Sequence, residues 1–152
     1  MPDQAPPEQT PPEQHGPSMV ERLGGDAAIR DWVERFYALV MQHPLLAHMF
    51  NDLEQSKIKQ HAFFVEFFGG PRLFTDQFGR PFMRFRHRLV KIGKPERDAW
   101  MECVMASLRE MARDAGINDQ AAITEAEARL GGMADHMINH HPEIKDSYYF
   151  KS

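Results

Sequence analysis

Apolar residues recur at steps of three and four along most of the chain, the spacing of an α-helix with one buried face. The clearest stretch follows Gly24–Gly25, where Asp26 is a typical N-cap, and His43–Pro44 ends it because proline disfavours helical geometry in the residue before it. Its apolar positions are Ile29, Trp32, Val33, Phe36, Tyr37 and Val40. The pattern predicts a helix over residues 26–42.

A further helix is predicted after Asn51 or Asp52, either of which is a suitable cap, and it stops at Gly69–Gly70–Pro71. One side of this helix carries Ser56, Gln60, Phe63 and Phe67. That side is apolar at one end and able to form hydrogen bonds at the other. Residues 71–81 contain two prolines, a glycine and little periodicity, which predicts a loop. A short helix or turn is then expected to carry residues 84–87.

Two long helices are predicted in the last third of the chain. Pro95 suits the first position of a helix over residues 95–115, and Gly116 marks its end. Asn118 or Asp119 begins the last helix, which ends before His140. Two short helical segments, at residues 20–23 and 45–49, are also expected. No alternating β-branched run is long enough for a strand, so the predicted fold class is all-α.

The first eighteen residues differ from the rest in composition. A Pro-Pro-Glu-Gln phrase occurs twice, and aliphatic residues are nearly absent. Such a segment buries too little apolar area to offset the entropy of ordering. We therefore expect a disordered tail over residues 1–18 and one globular domain over residues 19–152.

The bulk composition narrows the class of protein. A chain of 152 residues with 42% hydrophobic residues, including 11 Phe and 10 Met, can build one domain with a substantial core. A net charge of -4 argues against nucleic acid as a partner. Cys103 is the single cysteine, which excludes an internal disulfide and fits a reducing compartment. The sequence lacks an apolar run long enough for a membrane span and the regions of a signal peptide, so we expect a cytoplasmic protein.

His87 is the main candidate for chemistry. It follows a run of alternating aromatic and basic residues, and a neutral imidazole is the ligand that holds haem iron in oxygen-binding proteins. Large apolar residues on helices could enclose a flat porphyrin, although they serve a core equally well: Phe36, Phe50, Phe63, Phe67 and Phe85. Four cations near His87 could bind the haem propionates: Arg84, Arg86, Arg88 and Lys91.

Several short motifs occur together in one order: Phe36–Tyr37, Phe50, Gly69–Gly70–Pro71, Arg86–His87 and Arg97–Asp98–Ala99–Trp100. In this order and spacing the chain resembles a truncated haemoglobin of the second group, over about residues 23–137. The resemblance implies a two-over-two helical sandwich around one haem b, with His87 as the proximal iron ligand. Phe50 and Phe63 would pack on the cofactor, and Arg84 and Arg86 would lie at its acidic edge.

The resemblance also implies a polar distal pocket. Tyr37 and Trp100 match the family's hydrogen-bond donors to a bound ligand, and Ser56 and Gln60 fall on the distal helix. The family often has leucine where Gln60 stands, and a slip of one residue would bring His61 or Lys59 into the pocket. His61 would then compete as a sixth iron ligand.

Other positions depart from the family or lie outside its motifs. Arg80 stands where the family commonly has histidine, and Phe74 stands where tyrosine is frequent, so inherited contacts near the proximal loop are in doubt. His136, His140 and His141 have a spacing that can bind a metal, but without a cysteine or a clear set of carboxylate partners they fit a solvated helix end better.

Two functions follow from the resemblance. The first is a protein that binds oxygen or other diatomic gases such as nitric oxide at a five-coordinate iron. The second is an enzyme with peroxidase or nitric oxide dioxygenase activity, which would detoxify nitric oxide, peroxide or reactive nitrogen species. The sequence carries no Gly-rich dinucleotide fingerprint, so such an enzyme would need an external reductase. We expect a monomer or a homodimer in either case.

Overall fold

The computed structural model describes residues 16–142, and these residues form seven α-helices and one 3₁₀ turn. The helices are α1 (Met19–Arg22), α2 (Asp26–Val40), α3 (Leu53–Phe67), α4 (Leu73–Phe78), α5 (Met83–Arg86), α6 (Lys94–Asp114) and α7 (Gln120–Met137). The 3₁₀ turn, Ala47–Met49, lies between α2 and α3. No strand occurs within residues 16–142, which confirms the all-α prediction.

The long helices pack as two pairs. α2 packs on α3, α6 packs on α7, and an extensive contact between α2 and α6 joins the pairs. This arrangement is the two-over-two sandwich. The short helices α4 and α5 lie between the pairs in sequence, with α4 on α3 and α5 on α7. The residues near His87 are therefore held between elements from both halves of the chain.

Trp32 is at the centre of this packing. It is fully buried, its ring stacks on Phe64 of α3 with the centroids 4.4 Å apart, and its indole Nε1 donates to the Val104 carbonyl of α6 at 3.0 Å. One side chain thus joins three helices and satisfies its own polar atom, as buried tryptophan generally does.

The turn between α1 and α2 is tightly packed. Gly24 has φ +107°, and a Cβ built on it would lie 2.6 Å from Cδ1 of Ile117 and 2.7 Å from Cβ of Ala28. Arg22 bridges this corner to the start of α7, because its Nε donates to Asp119 at 3.0 Å. The first and last helices are thereby held together.

Most predicted helix boundaries are confirmed. Asp52 caps α3 by accepting from the Gln55 amide at 3.1 Å, and Asp119 caps α7 by accepting from the Ala122 amide at 3.0 Å. Pro95 lies in the first turn of α6. A backbone N–H there has no acceptor within the helix, so the N–H that proline lacks costs no helical hydrogen bond.

Two local predictions are wrong. Asp26 is not the N-cap of α2, because Gly25 occupies that position with φ +86° and Asp26 already lies inside the helix. Residues 71–81 are not all loop, because α4 forms within them. Glu66 of α3 stabilises the first turn of α4, because it accepts from the Thr75 amide at 2.9 Å and from the Thr75 hydroxyl at 2.6 Å.

The expected tail falls mainly on residues 1–15, which lie outside the described residues, as do residues 143–152. Ser18 belongs structurally to the folded part, because its hydroxyl accepts from the Glu21 amide and caps α1. Within residues 16–142, no helix combines the length and the apolar character needed to cross a membrane.

Replacing Trp32 with alanine is expected to lower the free energy of unfolding by about 3–5 kcal/mol, since the change leaves a large cavity between three helices. Urea denaturation followed by circular dichroism measures it. The matched control is Ile58→Ala on α3, where the side chain is 51% exposed and the expected loss is small. Equal losses in the two variants would contradict the central role of Trp32.

Candidate functional site

A cavity of about 910 Å³ lies between the two helix pairs. Its wall includes residues of α2, α3, α4, α5, α6 and α7 and of the connections around α5. The predicted site residues on the wall are Tyr37, Phe50, Ser56, Gln60, Phe63, Arg86, His87 and Trp100. The sequence motifs, which are far apart along the chain, therefore meet in one place.

His87 follows α5 directly and lines the cavity. Its Nδ1 lies 2.8 Å from the Met83 carbonyl oxygen, one helical turn earlier. Because a carbonyl oxygen only accepts, Nδ1 must carry the proton in this hydrogen bond. Nε2 of the neutral ring is then deprotonated and has a lone pair for a metal ion, which is the usual arrangement of a histidine ligand.

Arg86 was expected, like the cations near it, to bind a haem propionate, but in the structure it bonds to backbone carbonyls. Its guanidinium donates to the carbonyls of Phe78 at 2.6 Å, Arg80 at 3.1 Å and Pro81 at 2.7 Å, and it lies over the Phe74 ring at 4.9 Å. Most of its donors are thus used within the α4–α5 connection. Arg86 lines the cavity and also fixes the segment that leads into α5.

Arg84 is not among the residues that line the cavity, and its expected place at the haem edge stays a prediction. It is exposed, and it follows the cavity-lining Met83 by a single residue, which turns the helix by about 100°. Lys91 is likewise exposed and absent from the wall, whereas Arg88 is part of it.

Tyr37 and Trp100 line the cavity from α2 and α6. The Tyr37 hydroxyl donates to the Ser56 carbonyl at 3.3 Å, a long hydrogen bond that a better acceptor could replace. Trp100 packs edge-on against Phe36 with the centroids 5.7 Å apart, and its indole N–H has no acceptor among the described residues. Both side chains thus offer donors near the same space.

The register of α3 is clear in the structure. Lys59 and Gln60 are both on the cavity wall, together with Ser56 one turn earlier. His61 is not part of the wall: it is buried against α2, where its Nε2 lies 2.8 Å from Oδ1 of Asp26. The alternative in which His61 enters the pocket is therefore not the arrangement observed.

Aromatic rings form much of the apolar surface. Phe50 lies edge-on to Tyr37 with centroids 5.3 Å apart, and Phe63 lies edge-on to Phe74 at 5.9 Å. Of the five Phe residues expected to enclose a porphyrin, Phe50, Phe63 and Phe85 line the cavity. The other two, Phe36 and Phe67, pack in the core beside it.

The charges around the cavity are distributed unevenly. Outside residues 59–91, each described Lys and Arg has a carboxylate within ion-pair distance. Within residues 59–91, none has such a partner among the described residues, and four of these cations line the cavity: Lys59, Arg80, Arg86 and Arg88. A cavity with apolar walls and cations that lack carboxylates suits a flat apolar ligand with an anionic edge.

Sequence reasoning missed some contributors to the wall. Met83 carries the carbonyl that orients His87, and its four-residue spacing from His87 was a usable signal. Glu96 and Arg97 also line the cavity. Arg97 lies 2.7 Å from Asp135 of α7, an ion-pair distance at which its Nε–H is not aligned for a hydrogen bond. Nothing near Glu96 in the sequence indicated it, whereas Arg97 opens the Arg97–Asp98–Ala99–Trp100 motif but was given no role at the site.

Comparison with known proteins gives a consistent result. Residues 18–139 match the profile of the family described as bacterial-like globin. The chain is 32% identical to the group 2 truncated hemoglobin YjbI of Bacillus subtilis over 116 residues, which cover 76% of this chain and 84% of that protein.

Solved structures are similar over most of the chain. The hemoglobin of Chloroflexus aurantiacus is 38% identical with a TM-score of 0.76, covering 82% of this chain and all of that one (100%). The group II truncated hemoglobin of Bacillus anthracis is 30% identical with a TM-score of 0.74, covering 86% and 100% of the two chains. The truncated oxygen-avid haemoglobin of Bacillus subtilis is 31% identical with a TM-score of 0.71, covering 81% and 100%.

Burial raises the pKa of Tyr37 well above the ordinary tyrosine value of about 10. The neutral hydroxyl therefore persists at pH values where an exposed tyrosine ionises. The stability that burial of the neutral form contributes is complete below the ordinary tyrosine pKa and is lost as pH rises from there through the raised pKa. In an absorbance titration, the difference between wild type and Tyr37→Phe is expected to stay flat through about pH 10 and to rise at higher pH. A rise of the absorbance difference centred near the ordinary tyrosine pKa would contradict this expectation.

Proposed function

The chain is a truncated haemoglobin of the bacterial-like globin family, which implies haem and small gaseous ligands, and we propose that its cavity holds one haem b with His87 as the iron ligand. The proposal rests above all on the 2.8 Å contact between His87 Nδ1 and the Met83 carbonyl, which leaves Nε2 available. The proposed function is reversible binding of oxygen and other diatomic gases.

The residues present fit this cofactor in three respects. Nε2 of His87 is a neutral nitrogen donor, as haem iron requires. Phe50, Phe63 and Phe85 offer apolar surface to a porphyrin. The cavity-lining cations that have no carboxylate partner within the described part of the chain are Lys59, Arg80, Arg86 and Arg88. Of these, Lys59, Arg80 and Arg88 are the better candidates to bind propionates, since Arg86 already donates to three carbonyls.

When bound, haem would supply an iron able to bind a diatomic gas. This chain supplies hydrogen-bond donors on the cavity wall. The Tyr37 hydroxyl stays neutral because burial raises its pKa, so it remains a donor. The Trp100 indole N–H has no acceptor among residues 16–142, and the Gln60 amide and Ser56 hydroxyl line the same wall. Donors in a water-poor pocket stabilise a ligand that gains negative charge.

The solved relative from Bacillus subtilis is described as oxygen-avid, and the polar set of this cavity supports a similar property here. A ligand held by Tyr37 and Trp100 together should leave slowly. The proposed distal residues are therefore Tyr37, Trp100, Gln60 and Ser56, and the proposed residues around the haem are His87, Phe50, Phe63 and Arg86.

The first experiment is reconstitution of the chain with haemin, followed by absorption spectra of the ferric, ferrous and oxygenated forms. Wild type is expected to give a five-coordinate high-spin ferrous spectrum, since His61 is bonded to Asp26 away from the cavity. His87→Gly should lose that spectrum and regain it when imidazole is added. A low-spin six-coordinate ferrous spectrum, or an unchanged spectrum in His87→Gly, would contradict the assignment of His87 and the open site.

Replacing Trp100 with phenylalanine is expected to speed oxygen dissociation. A hydrogen bond to a charged group contributes about 1.5–3 kcal/mol, which corresponds to a rate increase of roughly ten- to a hundredfold. Stopped-flow replacement of oxygen by carbon monoxide measures it. Met101→Leu is the control, because Met101 is adjacent on α6 but is not part of the cavity wall.

An unchanged dissociation rate in Trp100→Phe would exclude the indole as a donor to the ligand.

The same preparations distinguish the alternative enzymatic function. Fast peroxide-dependent oxidation of a dye by the ferric protein, or rapid nitric oxide consumption with an added reductase, would favour turnover over reversible binding.

A further inference from the structure

The segment that carries His87 is too short to be stable alone. α5 has 4 residues, fewer than the number needed for a helix to persist without tertiary contacts. Its N-terminal side is held by Arg86, which donates to the carbonyl of Phe78 at the end of α4 and to two carbonyls in the α4–α5 connection. The C-terminal side, residues 87–92, contains no helix or strand. The amides of His87, Arg88 and Val90 donate to nearby carbonyls, but the Val90 carbonyl and both backbone groups of Ile92 need partners elsewhere.

Asn139, just beyond α7, supplies those partners. Its Nδ2 donates to the His87 carbonyl at 3.3 Å and to the Val90 carbonyl at 2.8 Å. Its Oδ1 accepts from the Ile92 amide at 2.8 Å, and its own backbone amide donates to the Ile92 carbonyl at 2.8 Å. The orientation of the side-chain amide is unambiguous, because the two carbonyls can only accept and the Ile92 amide can only donate.

These contacts are not those of a residue that merely ends a helix. Ile138 is the C-cap of α7, and its backbone amide donates to the Asp135 carbonyl. The side chain of Asn139 makes no hydrogen bond to α7, and each of its three bonds runs to residues 87–92. An aspartate could reproduce the acceptor but not the two donors.

We propose that Asn139 is a positioning residue for the iron ligand: it fixes the backbone of His87 from the C-terminal side, so that the imidazole keeps one orientation toward the haem. This inference rests on the proposed function, since it concerns the proximal side of the haem site.

Two anchors define the position of the His87 ring. Inside α5, the Met83 carbonyl fixes the rotation of the imidazole through Nδ1. Outside α5, the His87 carbonyl accepts from the Val90 amide at 3.0 Å and from Asn139 Nδ2 at 3.3 Å, and Asn139 also bonds to Val90 and Ile92, so it holds the turn that follows His87. With the second anchor removed, the ring can still bond to Met83, but the backbone that carries both groups gains freedom. The iron–Nε2 bond should then become weaker and more variable, because outer partners of a metal-binding histidine set its orientation.

The test uses the full chain reconstituted with haemin, in wild type, Asn139→Ala and Asn139→Asp. Two quantities are measured: the rate of haemin transfer to a scavenging apoprotein, and the iron–histidine stretching band of the ferrous form by resonance Raman spectroscopy. Both variants are expected to release haemin roughly tenfold faster than wild type and to show a shifted or broadened band. Asn118→Ala is the matched control, because Asn118 is an exposed loop asparagine whose side chain makes no hydrogen bond within residues 16–142.

A second background separates positioning from general loosening of the pocket. In His87→Gly reconstituted with haemin and imidazole, the iron ligand is no longer attached to the backbone. Adding Asn139→Ala to this background is expected to leave the iron–imidazole band unchanged. A change of similar size in both backgrounds would show that Asn139 acts on the pocket as a whole, and would overturn the proposal.

The outcomes distinguish the two levels of inference. If wild type binds haemin through His87 and both Asn139 variants match it in release rate and band, the positioning role is wrong while the proposed function stands. If wild type fails to bind haemin through His87, both are overturned. Circular dichroism of each variant establishes that α-helix content is retained, and Asn139→Asp, which keeps the acceptor for Ile92, serves as the milder change.

Discussion

The hydrogen bond between His87 Nδ1 and the Met83 carbonyl determines what this site can do. In the neutral ring it assigns the proton to Nδ1, so that the lone pair of Nε2 is available to a metal. The bond forms inside a helix of 4 residues, so it depends on the contacts that hold that helix in place. Arg86 provides them on one side and Asn139 on the other. The packing of the long helices matters to function because it brings these anchors together.

The cavity wall carries two kinds of polar group. Tyr37 and Trp100 offer neutral donors, while Lys59, Arg80 and Arg88 carry positive charge. The described cations outside residues 59–91 are paired with carboxylates, whereas those within this range, on the cavity wall and off it, have no such partner among the described residues. Neutral donors suit a ligand that gains partial charge, and cations suit carboxylates that are charged already.

Much of the fold was predictable because its helices have clear apolar faces and local caps such as Asp52 and Asp119. α4 was missed because Glu66, which stabilises its first turn, comes from the preceding helix. Arg84 and Arg86 are indistinguishable as sequence letters, and only their positions around α5 separate an exposed cation from one that fixes the loop. Asn139 was missed because its partners lie far away in the sequence, and nothing near it indicates them.

The most direct test of this account is a crystal structure of the chain reconstituted with haemin. The account predicts haem within the cavity, iron bonded to Nε2 of His87, and Nδ1 still on the Met83 carbonyl with Asn139 on the His87 carbonyl. Haem outside the cavity, or iron held by a side chain other than His87, would contradict it. A His87 ring turned so that Nδ1 no longer contacts Met83 would contradict the role given to that hydrogen bond.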